Sequence, residues 1–299
     1  MLKENFYHHI NTMVTSIFLS ILFNTICADG YCPEHCKCLQ SAKRVDCGNA
    51  GLRKFPENLP RDTTNLYLLH NPLRRLQQED FNNLKELQHL DLSYCSLSHI
   101  AEDTFSSLQN LETLELRGNE LRSIGSGLLA SLYALKILDL SRNELQSIDL
   151  LAFHSLTNLE MLYLNNDNLS FLRVKQFAGM KKLKVLLLNE NNISHVNPYT
   201  FFALKSLKTL DLGSNRMTKI TCRNFEGLNN LLSLVLASNY ISHLEKCSFS
   251  GLSGLVYLNL AINNIKLSAD VSNESIFADL KKLEVLNLDV NDIKVSGIF

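Results

Sequence analysis

The sequence predicts an α/β solenoid, a chain of small stacked units whose short strands build one continuous parallel sheet. Two observations predict it. Leu66, Leu90, Leu114, Leu138, Leu162, Leu186, Leu210, Leu234 and Leu258 recur every 24 residues. A period in the twenties marks an array of units, none of which buries its own apolar face alone. Within each unit the leucines alternate, as at Leu138 and Leu140. Alternation places both side chains on one face of a short strand.

Laid out at this period, each unit repeats the same apolar positions. One runs Leu87, Leu90, Leu92, Cys95, Leu97, Ile100, Phe105, Leu108, and the next Leu111, Leu114, Leu116, Asn119, Leu121, Ile124, Leu129, Leu132. Later units begin LKILDLSRN, LEMLYLNND, LKVLLLNEN, LKTLDLGSN, LLSLVLASN, LVYLNLAIN and LEVLNLDVN. This pattern, L-x-x-L-x-L-x-x-N/C-x-L, resembles the leucine-rich repeat family from Thr63 onward. The resemblance implies a horseshoe with a concave parallel sheet and an irregular convex side, built over residues 61–299 from about ten units, the last incomplete. Burying a large apolar side chain stabilises by roughly 1.5–3 kcal/mol, so several per unit offset ordering entropy only when neighbours stack.

Asn119, Asn143, Asn191, Asn215, Asn239, Asn263 and Asn291 mark the end of each strand. An amide there bonds backbone groups that the turn leaves unpaired. Cys95 and Asp167 hold this position in two units. Cysteine packs as a small apolar group, whereas Asp167 is expected to weaken its turn. From Leu258 to Leu286 the step is 28 residues, so four extra residues lie within Lys266–Phe277. A longer loop after the strand costs little.

The N-terminus reads as a secretory signal peptide over residues 1–28. Lys3 opens a polar stretch, Met13–Phe23 is apolar and too short to span a membrane, and Cys27, Ala28 and Gly30 place cleavage within Thr25–Gly30. Cys32, Cys36, Cys38 and Cys47 follow, within a cap over residues 31–60. Four cysteines suit zinc, but behind a signal peptide they read as disulfides, for which the sequence allows three pairings. Their spacing is similar to the N-terminal cap of extracellular leucine-rich repeat proteins such as Slit, the Nogo receptor, Toll receptors and small proteoglycans. That resemblance implies Cys32–Cys38 and Cys36–Cys47. A cap shields the apolar edge of the first repeat. The chain stops at Phe299 inside a repeat, which suggests a fragment or an incomplete product, and no membrane segment is expected beyond the signal peptide.

A net charge of −1 argues against a nucleic-acid binder. The chain carries no Gly-rich phosphate loop, HExxH or GxSxG. His99, His195 and His243 share one repeat position, but the nearest two are two units apart with Lys219 between them. Two strand spacings are about 10 Å, too far for one metal ion. No catalytic, cofactor or metal residue is therefore expected, and an enzyme is not.

Residues between the leucines point out of the concave face. Asp91, Glu115 and Asp139 make its first half acidic, beside Arg117, Lys136 and Arg142. Its middle turns apolar at Ile137, Met161, Tyr163, Val185 and Leu187, and again around Val235 and Tyr257. Large side chains on neighbouring strands suit an interface anchor. The expectation is a secreted or cell-surface module that binds a protein ligand or receptor through this face. A secreted matrix-organising scaffold is the alternative.

Two further features follow from phase. Cys222 and Cys247 occupy adjacent units one residue out of step. Units stack about 5 Å apart, within the Cα range of a disulfide. Sequons stand at Asn168, Asn192 and Asn273. The first two share a repeat position just outside the concave sheet, and the third lies in the insertion.

Overall fold

A computed structural model describes residues 32–39, 41, 43–266 and 276–293. The signal-peptide reading and Asn273 lie outside these residues. The cap contributes β1 (Lys37–Leu39) and β2 (Arg44–Asp46), paired antiparallel. From β2 onward every neighbour in the large sheet is parallel. The coils supply β3 (Asn65–Tyr67), β4 (His89–Asp91) and β5 (Thr113–Glu115). They continue through β7 (Ile137–Asp139), β9 (Met161–Tyr163), β10 (Val185–Leu187) and β11 (Thr209–Asp211). The last are β13 (Ser233–Val235), β15 (Tyr257–Asn259) and β16 (Val285–Asn287). Together these twelve strands form one sheet in chain order. The register keeps the leucine period, with Leu186 opposite Leu162 and Leu210.

Two small parallel pairs flank the sheet. β6 (Ser123–Ile124) pairs with β8 (Ser147–Ile148), and β12 (Lys219–Ile220) with β14 (His243–Leu244). The rest of the convex side is turns. Its one regular helix among the described residues is a 3-10 turn at Gln78–Phe81. The solenoid is thus a parallel-sheet horseshoe closed at its start by disulfides Cys32–Cys38 and Cys36–Cys47.

Three columns of side chains hold the stack. The strand leucines, Leu66 to Leu258, are fully buried. On the convex side Phe81, Phe105, Phe153, Phe177, Phe201, Phe225 and Phe249 form a second buried column, with Leu129 taking the aromatic's place once. Adjacent rings meet edge to face at Phe81–Phe105 and stack further along, with centroids 5.9 Å apart at Phe177–Phe201 and 6.4 Å at Phe225–Phe249. Aromatic pairs at this separation add about 0.5–1.5 kcal/mol beyond area burial.

The asparagines form the third column, which Asn71 joins in the first coil. Asn215 shows the pattern. Its Nδ2 donates to the Leu188 carbonyl of the preceding coil at 2.9 Å and to Leu212 at 3.1 Å, and its Oδ1 accepts from Ile193 N at 2.9 Å. One buried amide therefore satisfies backbone groups on two coils, which is why the position favours a side chain with both donor and acceptor. The residue before each ladder position adopts positive φ, as at Tyr94 (57°), Arg142 (56°) and Ile262 (55°). Left-handed backbone here turns the chain off the sheet and into the convex side.

Candidate functional site

Strand alternation aims the residues between the leucines into the concavity, and register sets them in rows across the sheet. Asp91, Glu115 and Asp139 are successive partners on β4, β5 and β7. Tyr163 and Leu187 continue the same row on β9 and β10. Ile137, Met161 and Val185 form the row beside it. Five of the apolar residues expected from the sequence thus sit together, all half-buried. The Tyr163 hydroxyl lies 3.2 Å from Met161 Sδ.

A cleft of about 390 Å³ opens at this point. Ile137, Tyr163 and Leu187 make its apolar wall, while Glu115, Asp139, Arg117, Ser141 and Asn165 supply polar groups. Its size falls within the range of pockets that hold an inserted side chain or small ligand, roughly 300–1,000 Å³. Val235 and Tyr257 lie elsewhere. β11, carrying Thr209 and Asp211, separates β13 from β10. Three strand spacings, about 14 Å, therefore divide Val235 from Tyr163. The two groups that the sequence set apart stay apart in the structure, and the cleft belongs to the first.

The polar wall was legible only in part. The acidic run reads directly from the sequence, whereas Ser141 and Asn165, each two residues past a strand residue of the cleft, were not singled out although the same alternation places them. Burial pushes the Glu115 carboxyl up to about 7, helped by Asp91 and Asp139 on either side and opposed by Arg117. Arg117 is held from the flank, where its Nε donates to the Tyr94 hydroxyl at 3.2 Å. Tyr94 in turn stacks on His70 with centroids 4.7 Å apart. His89 Nε2 lies 3.6 Å from Glu115 Oε1. Burial lowers the His89 pKa, so the imidazole is neutral at neutral pH and the contact is no ion pair.

Other sequence-marked residues lie off this face. The sulfurs of Cys222 and Cys247 meet beyond β12 and β14, with Cα atoms 5.0 Å apart. The Cys222 N–H donates to Glu245 Oε2 at 2.7 Å. These three residues are the one group among the described residues with ligand atoms within 4.8 Å of one another. Joined to each other, the two sulfurs offer no thiolate to a metal. Cys95 is buried in the ladder with its Sγ 3.2 Å from the Leu68 carbonyl, and burial pushes its thiol up to about 11. His99, His195 and His243 are exposed, and His243 is paired in register with Lys219. Asn168 is exposed and Asn192 half-buried, one coil apart on the flank that follows the sheet.

One surface feature gave no periodic signal. Leu151, Phe171, Val174 and Phe202 are 58%, 44%, 43% and 49% exposed on turns outside the concave sheet. They come from different repeat positions, so no column of the repeat reveals them.

Comparison with known proteins agrees with the architecture. The family profile described as Leucine rich repeat matches residues 61–121, 109–169, 162–217 and 205–265. Podocan of Mus musculus is 41% identical over 61 residues, covering 20% of this chain and 10% of podocan. Leucine-rich repeat-containing protein 3 of Danio rerio is 30% identical over 95 residues, covering 31% of this chain and 35% of that protein. Among solved structures, a chain of a TLR13–ssRNA13 complex superposes with a TM-score of 0.70 at 29% identity, covering 81% of this chain and 38% of that one. The chain therefore matches a tenth to about a third of these relatives' length, and well under half of the structural neighbour.

Proposed function

Because this chain belongs to the leucine-rich repeat family, we propose that it is an extracellular protein-binding module whose concave face receives a polypeptide partner. The observation that carries this reading is the cleft between β5 and β10. There Tyr163, Leu187 and Ile137 form a half-exposed apolar wall facing polar groups on a rigid sheet. Aromatic anchors set in a preformed concavity and rimmed by polar groups are the usual make-up of interface hot spots. The two cap disulfides support an oxidising, extracellular compartment. The structural neighbour is a TLR13 chain in complex with a single-stranded RNA. Here the corresponding argument runs against nucleic acid, since the cleft's carboxylates at Glu115 and Asp139 repel phosphate and only Arg117 opposes them.

Glycans at Asn168 and Asn192 fit this reading. Both stand on the flank, so sugars there are bulky and solvated without covering the cleft. They would leave the concave side as the open approach.

The double variant Tyr163→Ser, Leu187→Ser tests the proposal. Its affinity for partner-bearing cell surfaces is expected to fall at least about tenfold, since hot-spot truncations cost about 2 kcal/mol or more. Secretion and melting temperature should stay near those of the parent. Unchanged affinity with normal secretion would move the site elsewhere, with the exposed group around Leu151 and Phe171 as the next place to look.

A further inference from the structure

The concave cleft has two chemically different halves, and the difference specifies what enters it. Asp91, Glu115 and Asp139 stand opposite one another on three neighbouring strands, about 4.8 Å apart strand to strand. Like charges in direct register across a sheet are destabilising unless a counter-charge meets them. One cation meets this row in part: Arg117, whose Nε donates to the Tyr94 hydroxyl, lines the cleft and offsets some of the charge at Glu115. The others are engaged or turned away. Arg44 pairs with Asp46 at 3.0 Å and lies over the Tyr67 ring. Lys136 pairs with Glu112 at 2.8 Å. Arg142 is exposed and makes no ion pair with any of the three.

Two polar atoms beside this row also lack partners. The Ser93 hydroxyl has none, although Ser93 is only 5% exposed, and strand alternation sets it on the same face as Asp91. His89 Nε2, beside Glu115, has none either. Buried polar groups without partners are uncommon and call for an explanation. Asp91 and Asp139 are pre-oriented, since each Oδ1 accepts the N–H two residues on, from Ser93 at 2.9 Å and from Ser141 at 2.8 Å. The three carboxylates do not converge as a metal site does. Among the described residues, only the Cys222 group brings its ligand atoms so close. A row of separated acceptors suits a long side chain with several donors rather than a single small ion.

We propose that the partner is a protein segment presenting a lysine or arginine beside a large apolar residue. The cation lies along Glu115 and Asp139, which line the cleft, with the buried Asp91 adding negative charge behind them, and the apolar neighbour packs against Tyr163 and Leu187. This assignment rests on the concave-face reading and adds the chemistry of the partner to it. Acidic and apolar halves meet at β7, where Asp139 and Ile137 sit on the same strand. A basic residue and an apolar one close together in the partner therefore reach both halves at once.

Selection from a library of random linear peptides displayed on phage, panned against the intact secreted chain, tests this. Wild type is expected to enrich peptides that pair Lys or Arg with an apolar residue. Glu115→Gln with Asp139→Asn, and separately Tyr163→Ser with Leu187→Ser, should each weaken such a peptide at least about tenfold while melting temperatures hold. Binding should also tighten from pH 6 to pH 8, by up to about tenfold, as Glu115 ionises beside Asp91, Asp139, Arg117 and His89, whose pKa burial lowers. Enriched peptides that need Tyr163 and Leu187 but carry no basic residue, or that ignore the Glu115 and Asp139 changes, would overturn the cation assignment and leave the concave reading intact. Peptides whose binding ignores Tyr163 and Leu187 as well, or no enrichment at all, would remove both.

Discussion

Asp167 shows how much one atom matters in the ladder. Its Oδ1 accepts from Asn143 N and Leu145 N, both at 3.1 Å, as an asparagine's would. Its Oδ2 is buried with no partner. The neighbouring amides, Asn143 and Asn191, use the equivalent atom to donate to Leu140 and Leu164 carbonyls at 2.7 Å. An ionised carboxylate has no proton to give there, so burial pushes Asp167 up to about 7, with Asp139 adding to the rise. The raised pKa means that folding favours the protonated form. Stability is therefore greatest below the ordinary value near 3.8, is lost progressively as pH rises toward 7, and stays low above it. Asp167→Asn is expected to stabilise the chain at pH 8 by up to about 4 kcal/mol and by little at pH 4. Urea unfolding of parent and variant at both pH values checks this, and an equal gain at both would refute the protonation argument. The sequence marked Asp167 as a departure that weakens its turn, and the unpartnered oxygen gives that weakness a pH range. Periodicity alone does not contain it, because it depends on carbonyls from two different coils.

At the level of the coil, the ladder and the sulfur clip tie neighbouring coils together at successive boundaries. Each asparagine joins a coil to its predecessor, so its loss is felt by two. Asn215→Ala leaves the Ile193 N–H without its acceptor and removes one of two donors from the Leu188 and Leu212 carbonyls, which keep the amides of Asn191 and Asn239. At roughly 1–3 kcal/mol for a buried group left unsatisfied, destabilisation of about 1–3 kcal/mol is expected in denaturant melts. An effect below about 1 kcal/mol would mean that water replaces the amide. Cys222 and Cys247 bridge the next boundary on the other flank, 25 residues apart in sequence. Closing a loop of that length stabilises by roughly 3 kcal/mol. Peptide mapping without reductant should recover the two cysteines as one crosslinked species and Cys95 as a free thiol. Recovery of both as alkylated peptides would exclude the clip. The strand leucines, the ladder and the coil register were legible because each recurs in phase. The aromatic column was visible residue by residue, at Phe105 and Phe153, but ring stacking between coils is a distance that spacing does not supply. The cleft was half legible for the same reason. Its apolar members stood out by type and stood apart from Val235 and Tyr257 already in the sequence, whereas the space they enclose with Glu115 and Arg117 is a volume that spacing does not supply.

The whole molecule is a rigid sheet with two unequal sides. Leucines, phenylalanines and asparagines lock every coil to the next, which leaves the concave rows free to vary without loss of fold. Variation there is what distinguishes an acidic start, a mixed cleft and a second apolar group further along. The convex turns and flanks, with the exposed Leu151 and Phe171 and the sequons at Asn168 and Asn192, present a different surface. The central claim is that partners reach the molecule through the cleft rather than around it. A sugar placed inside the concavity tests this most directly. Leu187→Asn with Asn189→Ser creates a sequon on β10 and the turn after it, at the apolar wall of the cleft. Intact mass before and after N-glycanase treatment establishes that the new site is occupied, alongside any sugar at Asn168 and Asn192. The account predicts that partner binding is abolished by the added glycan, while removal of the flank glycans from the parent leaves binding intact. Full affinity in a secreted variant whose concave glycan is fully occupied would contradict it.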